Sequence, residues 1–274
     1  MRINEFEKII DDVSFFCTNI FFSFCGEPLL NKEIFGMISY AKKKHITVDL
    51  STNAMLLDED VSRKLLESGP RKIIVSLDAV SEDAYLRMRI GGDVKTAMEN
   101  VRVLARIKRE MHLSGTEIDL QMVYSKINKD DLGKFVDFAR EIGVEQVSVK
   151  SIFIDHHGDK AYVEKLENDF FIEHEISRYK RAEDGCLILK KLDDCPNMHF
   201  PVISSDCFLV PCCFDIYAKN SQGNAFADNF CRIWNKREYR NFRADVMKNR
   251  KLDMCKYCGY KGMPDMVIKT GRAQ

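Results

Sequence analysis

Residues 46–77, ITVDLSTNAMLLDEDVSRKLLESGPRKIIVSL, decide the fold. They read as a strand over 46–51, a helix over 58–68 closed by Gly69 where a helix C-cap belongs, and a second strand over 72–77. Strand, helix and strand in so short a space make a right-handed βαβ unit with parallel strands. The same alternation continues on both sides. Upstream, a helix over 3–12 puts Ile3, Phe6, Ile9 and Ile10 on one face. It precedes the continuously apolar run 19–24 (NIFFSF), which reads as a strand buried on both faces, and then a helix over 31–44. Downstream come a helix over 93–111, a strand over 117–123, a helix over 130–142 ending at Gly143, and a strand over 146–150. Five strands separated by helices give the α/β class with a parallel sheet, either open and doubly wound or curved into part of a (β/α) barrel.

In both forms chemistry belongs at the C-terminal ends of the strands. There the sequence places Cys25-Gly26-Glu27-Pro28 after the first strand and Ser51-Thr52-Asn53 after the second. Ser76, Asp78 and, further on, Arg89 follow the third. Together these short polar loops favour a small polar ligand held over the sheet.

The remainder differs in composition. Residues 155–185 are charged and irregular with helical stretches, a linker or insert. Segments 202–205 and 208–213 flank Asp206-Cys207 as a hairpin, and 230–248 read as helix. Eight of the ten cysteines fall between Cys186 and Cys258, the best sign of a second domain. Lys plus Arg and Asp plus Glu each total 42, so no global field attracts nucleic acid or an anionic membrane. The basic runs Lys42-Lys43-Lys44 and 248–251 suit solvated faces or helix C-termini. No apolar stretch approaches the roughly 20 residues of a membrane span, and no secretory signal opens the chain. A reducing cytoplasm is therefore expected, where clustered cysteines favour metal ligation over disulfides.

Cys255 and Cys258 have C-x-x-C spacing, which lets two thiolates meet one centre from a tight turn. Cys195 and Cys212 or Cys213 flank the hairpin that brings further ligands near. Four thiolates suit Zn²⁺ or an iron–sulfur cluster, and spacing does not separate the two. Adjacent Cys212 and Cys213 diverge in extended backbone, so one ligates and the other packs. Cys231 reads as core near a helix start, Cys186 as core or surface, and Cys207 as a turn residue. His156-His157 read as surface, Glu173-His174-Glu175 as a solvated helix face, and Trp234 as core.

These residues resemble the radical S-adenosylmethionine (radical SAM) superfamily, in its members with a C-terminal SPASM or twitch domain. The likeness runs over nearly the whole chain. The stretch FCGEPLL at 24–30 is similar to the family's motif, in which a backbone carbonyl and the Glu receive the ammonium of S-adenosylmethionine. Ser51-Thr52-Asn53 resembles its Thr-Asn-Gly segment, with Ala54 in place of Gly. Val75 to Asp78 and Arg89-Ile90-Gly91-Gly92 resemble the next signature, whose Arg approaches the cofactor carboxylate, a task suited to the guanidinium fork. Cys195-Pro196, Pro211-Cys212-Cys213-Phe214-Asp215, Gly223-Asn224, Ile233-Trp234, Arg243 and Cys255-x-x-Cys258 resemble the auxiliary-cluster pattern. Cys207 stands where that pattern has Gly, so the hairpin turn is expected to differ.

The resemblance implies a partial (β/α)6 TIM-like barrel lacking its first strand over 1–155. A linker or insert over 156–185 and a small Cys-rich α+β twitch/SPASM domain over 186–274 would follow. It implies cofactor-binding residues Gly26, Glu27, Pro28, Thr52, Asn53, Ser76, Asp78 and Arg89. Cys195, Cys212, Cys255 and Cys258 would hold an auxiliary [4Fe–4S] cluster. The family's Cys-x-x-x-Cys-x-x-Cys loop, which binds the catalytic cluster, does not occur in the 274 residues. The chain therefore reads as an N-terminally truncated version, with no catalytic residue assigned, and by itself is not expected to cleave S-adenosylmethionine. In the intact enzyme a 5′-deoxyadenosyl radical would modify a peptide, sugar or small metabolite, with a reductant such as ferredoxin or flavodoxin and with no nucleic acid or membrane partner. The competing readings are a non-catalytic cluster-binding remnant and a zinc-stabilised α/β binding protein.

Overall fold

The computed structural model describes every residue except 24, 155–158, 191–194, 196–199, 216, 250–251, 253–254, 256–257, 259–264 and 272–274. Helix α1 (Ile3–Val13) leads into β1 (Asn19–Phe22), and four further helix–strand steps follow. They are α2 (Ile34–Lys43) with β2 (Thr47–Thr52), and α3 (Glu59–Ser68) with β3 (Lys72–Ser76). Next come α4 (Glu82–Met88) and α5 (Val94–Glu110) with β4 (Glu117–Tyr124), and α6 (Leu132–Ile142) with β5 (Gln146–Ser151). Local chemistry fixes the helix ends. Asp58 accepts the Val61 amide at the start of α3, and Asp93 accepts the Lys95 and Thr96 amides at the start of α5. Gly69 (φ 77°) and Gly143 (φ 74°) close α3 and α6 in the left-handed conformation that glycine adopts cheaply.

The strands pair in the order β1-β2-β3-β4-β5, all parallel. An order that never reverses, joined by right-handed crossovers, puts every connecting helix on the same face of the sheet. A doubly wound sheet would need a reversal, so this is the barrel form. The strand sequences show the consequence. Val48, Leu50, Ile73, Val75, Ile118, Leu120, Met122, Val147 and Val149 form one face, each at most 2% exposed, in a core completed by Met37, Ile38, Leu65, Leu66, Leu104 and Phe135. Truncating a fully buried leucine such as Leu66 to alanine costs about 2–5 kcal/mol. The alternate residues, Asp49, Ser51, Lys72, Ser76, Glu117, Asp119, Gln121, Gln146, Ser148 and Lys150, with only Ile74 and Val123 apolar among the central strands, make the opposite face mostly polar. A polar sheet face turned away from the helices is a lumen.

Beyond β5 come α7 (Lys160–Phe170) and a hairpin of β6 (Tyr179–Arg181) and β7 (Leu187–Leu189). A second hairpin of β8 (Val202–Ile203) and β9 (Leu209–Val210) follows, then α8 (Phe230–Asn235) and α9 (Arg237–Asn249). The last strand, β10 (Met266–Lys269), returns to the barrel sheet and pairs antiparallel with β5.

Three expectations need correction. The run 19–24 is not buried on both faces. Strand β1 stops at Phe22 on the edge of the sheet, where a strand has a neighbour on one side only, and Phe21 is 49% exposed. The helix expected over 230–248 breaks at Lys236, whose extended backbone (ψ 140°) separates α8 from α9. Glu173, His174 and Glu175 lie after the end of α7, not on a helix face, and the His174 ring meets Tyr124 edge-on at 5.3 Å. The His156-His157 pair lies outside the described residues. Cys207 does form the expected turn, in the left-handed conformation at φ 66°, so the cysteine takes up the backbone shape that a glycine would have there.

Candidate functional site

The C-terminal ends of β1, β2 and β3 bring the first set of candidates together. Gly26 has φ 87°, which turns the chain sharply out of β1, and a Cβ there would meet nothing within 4 Å, so glycine serves backbone shape rather than space. The turn delivers Glu27, whose side chain starts the short 3₁₀ turn Pro28–Leu30 by accepting the Leu29 amide at 3.1 Å. Its other oxygen accepts the Asn53 amide at 2.8 Å, so one half-buried carboxylate ties the loop after β1 to the loop after β2. Each oxygen has a further lone pair, which leaves the carboxylate able to receive an ammonium donor.

Thr52 and Asn53 act within the turn. Thr52 is 2% exposed, on the helix-covered side with Leu50, and its hydroxyl accepts the Ala54 amide at 3.2 Å. The Asn53 side-chain carbonyl accepts the Met55 amide at 2.9 Å. Ala54 adopts φ 67°, the left-handed shape for which a glycine would be the unstrained choice. Ser51 is the member of this trio on the lumen face.

After β3, Asp78 is 3% exposed and organises its surroundings. One oxygen accepts the Val123 amide at 2.7 Å, and the other takes Nε and Nη2 of Arg89 at 2.7 and 2.6 Å. The Asn128 side chain closes the loop from below by donating to the Asp78 carbonyl at 2.7 Å. Arg89 Nη2 also donates to the Ser76 hydroxyl at 2.6 Å. Ser76, Asp78 and Arg89 therefore form one connected unit, and Arg89 Nη1 has no acceptor among the described residues. A half-buried carboxylate after β1 and a fixed guanidinium after β3, with the β2 loop between them, carry charges complementary to the ammonium and carboxylate of an amino-acid moiety.

The cysteines divide by environment. Burial raises the thiol pKa of Cys207 and of Cys231. Cys186 is exposed. Cys212 is 7% exposed in a turn that Asp215 closes by donating its amide to the Cys212 carbonyl at 3.1 Å. Its sulfur accepts the Phe214 amide at 3.4 Å, the kind of hydrogen bond that tunes ligand thiolates. Cys255 and Cys258, both half-buried, are joined by a tight turn in which the Cys258 amide donates to the Cys255 carbonyl at 3.3 Å. Cys195 is half-buried as well. Beside Cys212, burial pushes the Tyr239 phenol up to about 12, while the guanidinium of Arg243 pulls it back. That guanidinium stacks 3.8 Å over Trp234 and 4.4 Å over Tyr239. Among the described residues no three His, Cys, Asp or Glu side chains gather as they would around a lone metal ion. In donor chemistry the set fits a cluster.

One lumen-facing residue was not anticipated from sequence. Lys150, on the lumen face at the end of β5, is half-buried, and burial lowers the pKa of its amine, while Asp119 and Asp265 raise it and Arg178 lowers it further. The signal was present in the strict alternation of QVSVKS, which puts Lys150 on the same side as Gln146 and Ser148.

Comparison with known proteins adds to this geometry. The family model of the radical SAM superfamily matches residues 1–150, and that of SPASM, an iron–sulfur cluster-binding domain, matches 195–259. A probable GTP 3′,8-cyclase of Methanocaldococcus jannaschii is 34% identical over 119 residues, covering 43% of this chain and 38% of the relative. The tungsten-containing aldehyde ferredoxin oxidoreductase cofactor-modifying protein of Pyrococcus furiosus is 23% identical over 301 positions, covering 98% and 82%. The chain spans only 38% and 52% of the length of the GTP 3′,8-cyclases of M. jannaschii and Clostridium botulinum. Among solved structures, Streptococcus suis SuiB bound to S-adenosylmethionine has a TM-score of 0.61 at 16% identity, covering 93% of this chain and 64% of SuiB. SuiB bound to its precursor peptide SuiA scores 0.60 at 15% identity, covering 93% and 64%. At such identity the likeness is one of fold. No helix among the described residues is long and apolar enough to cross a membrane.

Proposed function

The chain belongs to the radical SAM superfamily and carries a SPASM domain; on that premise we propose that its strand ends hold S-adenosylmethionine for radical modification of a substrate in the lumen. The observation that supports this reading is the Glu27 carboxylate after β1 and the Asp78-anchored Arg89 guanidinium after β3, opposite charges at the same end of the sheet on either side of the β2 loop. Glu27 receives the cofactor's ammonium and Arg89 its carboxylate, each through charge-assisted hydrogen bonds. Gly26 and Pro28 shape the loop that presents Glu27, Thr52 and Asn53 tie the loop beside it, and Ser76 and Asp78 hold Arg89 in place. When bound to a reduced cluster, S-adenosylmethionine supplies a 5′-deoxyadenosyl radical, and the protein's part is position and the exclusion of water. Cys195, Cys212, Cys255 and Cys258 hold the auxiliary [4Fe–4S] cluster, with Cys213 packing.

The functional units are a barrel over 1–155, an insert over 156–185 and a cluster domain over 186–274, working in the cytoplasm with a ferredoxin- or flavodoxin-like reductant. A peptide is the favoured substrate, because SuiB, of the same fold, is found with one. The test is equilibrium binding of S-adenosylmethionine to the wild-type chain, Arg89→Met and Glu27→Gln. Losing one charge-assisted hydrogen bond, worth about 1.5–3 kcal/mol, should raise Kd by roughly 10- to 100-fold in Arg89→Met. Unchanged binding in both variants would refute the site.

A further inference from the structure

Glu27 and Arg89 leave the sheet after β1 and β3, with the β2 loop between them, so something must fix their separation. The structure joins them through one ring. On the Glu27 side, the carboxylate accepts the Asn53 amide at 2.8 Å, and the Asn53 side chain accepts the Met55 amide at 2.9 Å. On the Arg89 side, residues 89–92 form a tight turn. The Gly92 amide donates to the Arg89 carbonyl at 3.0 Å, and Gly91 supplies the left-handed residue at φ 80° that such a turn needs. Tyr85 of α4, 2% exposed, meets both sides. Its hydroxyl donates to the Met55 sulfur at 3.8 Å, its ring lies against Gly92, and its carbonyl accepts the Arg89 amide at 2.7 Å. A Cβ on Gly92 would stand 2.9 Å from Tyr85 Cε1 and 3.1 Å from Oη, the first inside any real contact, although the Gly92 backbone is not left-handed. Glycine is therefore needed there for contact with the ring. The frame closes through α5, which starts just after Gly92 and whose Asn100 side chain donates to the Ala54 carbonyl of the β2 loop at 2.8 Å.

An α-amino acid carries its ammonium and carboxylate on one carbon, so a site that grips both must hold its two counter-charges at a fixed spacing. Long side chains such as Glu and Arg lose that spacing unless the loops that carry them are braced. A tyrosine ring suits the task. It has few rotatable bonds, and in a close-packed interior it cannot shift without moving what it touches. We infer that Tyr85 is a positioning residue for the cofactor's amino-acid end, its ring setting how far Arg89 stands from Glu27. Gly92 is its counterpart, letting the turn lie directly on the ring. Tyr85 acts through Arg89 and the β2 loop, and the ligand need not touch it. The inference rests on the proposed function for the identity of the ligand, and it adds how the two charged groups come to be correctly spaced.

The test is equilibrium binding of two probes, S-adenosylmethionine and 5′-methylthioadenosine, which shares the thio-adenosyl portion but lacks the amino-acid group. Tyr85→Leu removes the ring and keeps the position apolar. It should raise the Kd for S-adenosylmethionine about tenfold or more, the worth of one charge-assisted hydrogen bond, and that for methylthioadenosine by less than about threefold. Tyr85→Phe keeps the ring and should retain most of the affinity. Gly92→Ala should also weaken S-adenosylmethionine binding, yet add little in the Tyr85→Leu background, where the ring it strikes is gone. Cooperative thermal melts establish that each variant is folded. Folded Tyr85→Leu that binds S-adenosylmethionine as tightly as wild type overturns the inference. So does an equal loss for both probes, which is what a general loosening of the fold would give. If Tyr85→Leu has no effect while Arg89→Met and Glu27→Gln weaken binding, only the spacer falls. If neither of those has an effect, or the wild-type chain does not bind S-adenosylmethionine, the cofactor site falls and the spacer with it.

Discussion

Replacing Asp78 with alanine is the sharpest probe of how the site is held together. The side chain is buried and serves two partners, the Val123 amide at 2.7 Å and the Arg89 guanidinium at 2.7 and 2.6 Å. Alanine leaves both without an acceptor. Breaking a fully buried ion pair costs about 3–5 kcal/mol. The Arg89 side chain is 30% exposed, so water recovers part of that cost and about 2 kcal/mol is the fitting share. The stranded Val123 amide adds about 1 kcal/mol, giving a total near 3 kcal/mol. Asparagine keeps the shape and an acceptor for Val123 but loses the charge, so Asp78→Asn should cost about half as much. Urea unfolding followed by circular dichroism measures both differences, and thermal melts should fall by about 2–4 °C per kcal/mol for a chain of this size. If Asp78→Ala cost less than about 1 kcal/mol, or no more than Asp78→Asn, then Asp78 would not be the organiser of the Arg89 loop.

Two further outcomes follow from named groups. Burial alone would raise the Asp131 carboxyl, but hydrogen bonds from the Ser81 hydroxyl and from the Ser81 and Val80 amides outweigh it and hold its pKa below the usual carboxylate value. The stability it contributes is therefore complete above the unfolded value of about 3.9 and is lost as pH falls through the lower folded value. Asp131→Asn should cost about 2 kcal/mol near neutrality, with the gap to wild type closing in acid; a gap that stays constant from pH 6 to pH 3 contradicts this. Among the described residues β1 pairs on one side only; Phe21 is exposed on it and Phe15 and Phe16 are 77% and 51% exposed, a surface that invites self-association. Phe21→Lys should raise the monomer fraction in sedimentation velocity, and a monodisperse wild-type chain would show that the edge is harmless.

The five helix–strand steps were legible in the sequence to within a few residues, because each is long enough for its period to show and is ended by a cap such as Asp58, Gly69 or Gly143. Pattern alone could not choose between barrel and doubly wound sheet; strand order decided that. The elements that escaped are short. Helix α4 has seven residues, β6 and β7 three each, and β10 four, too few to display a period. Strand β10 exists because β5 offers an edge far away in sequence. The loops bearing Glu27, Asp78 and Arg89 were readable as polar strand ends, but Thr52 was not readable as a core-facing residue.

The most direct test of the account is iron and acid-labile sulfide analysis of anaerobically purified protein, run beside Cys255→Ala, Cys212→Ala and Cys213→Ala. A brown chain with iron and sulfide in about equal amounts, lost in the first two variants and kept in the third, is the predicted result. A colourless chain holding one zinc, or iron content indifferent to Cys212 and Cys255, would contradict it.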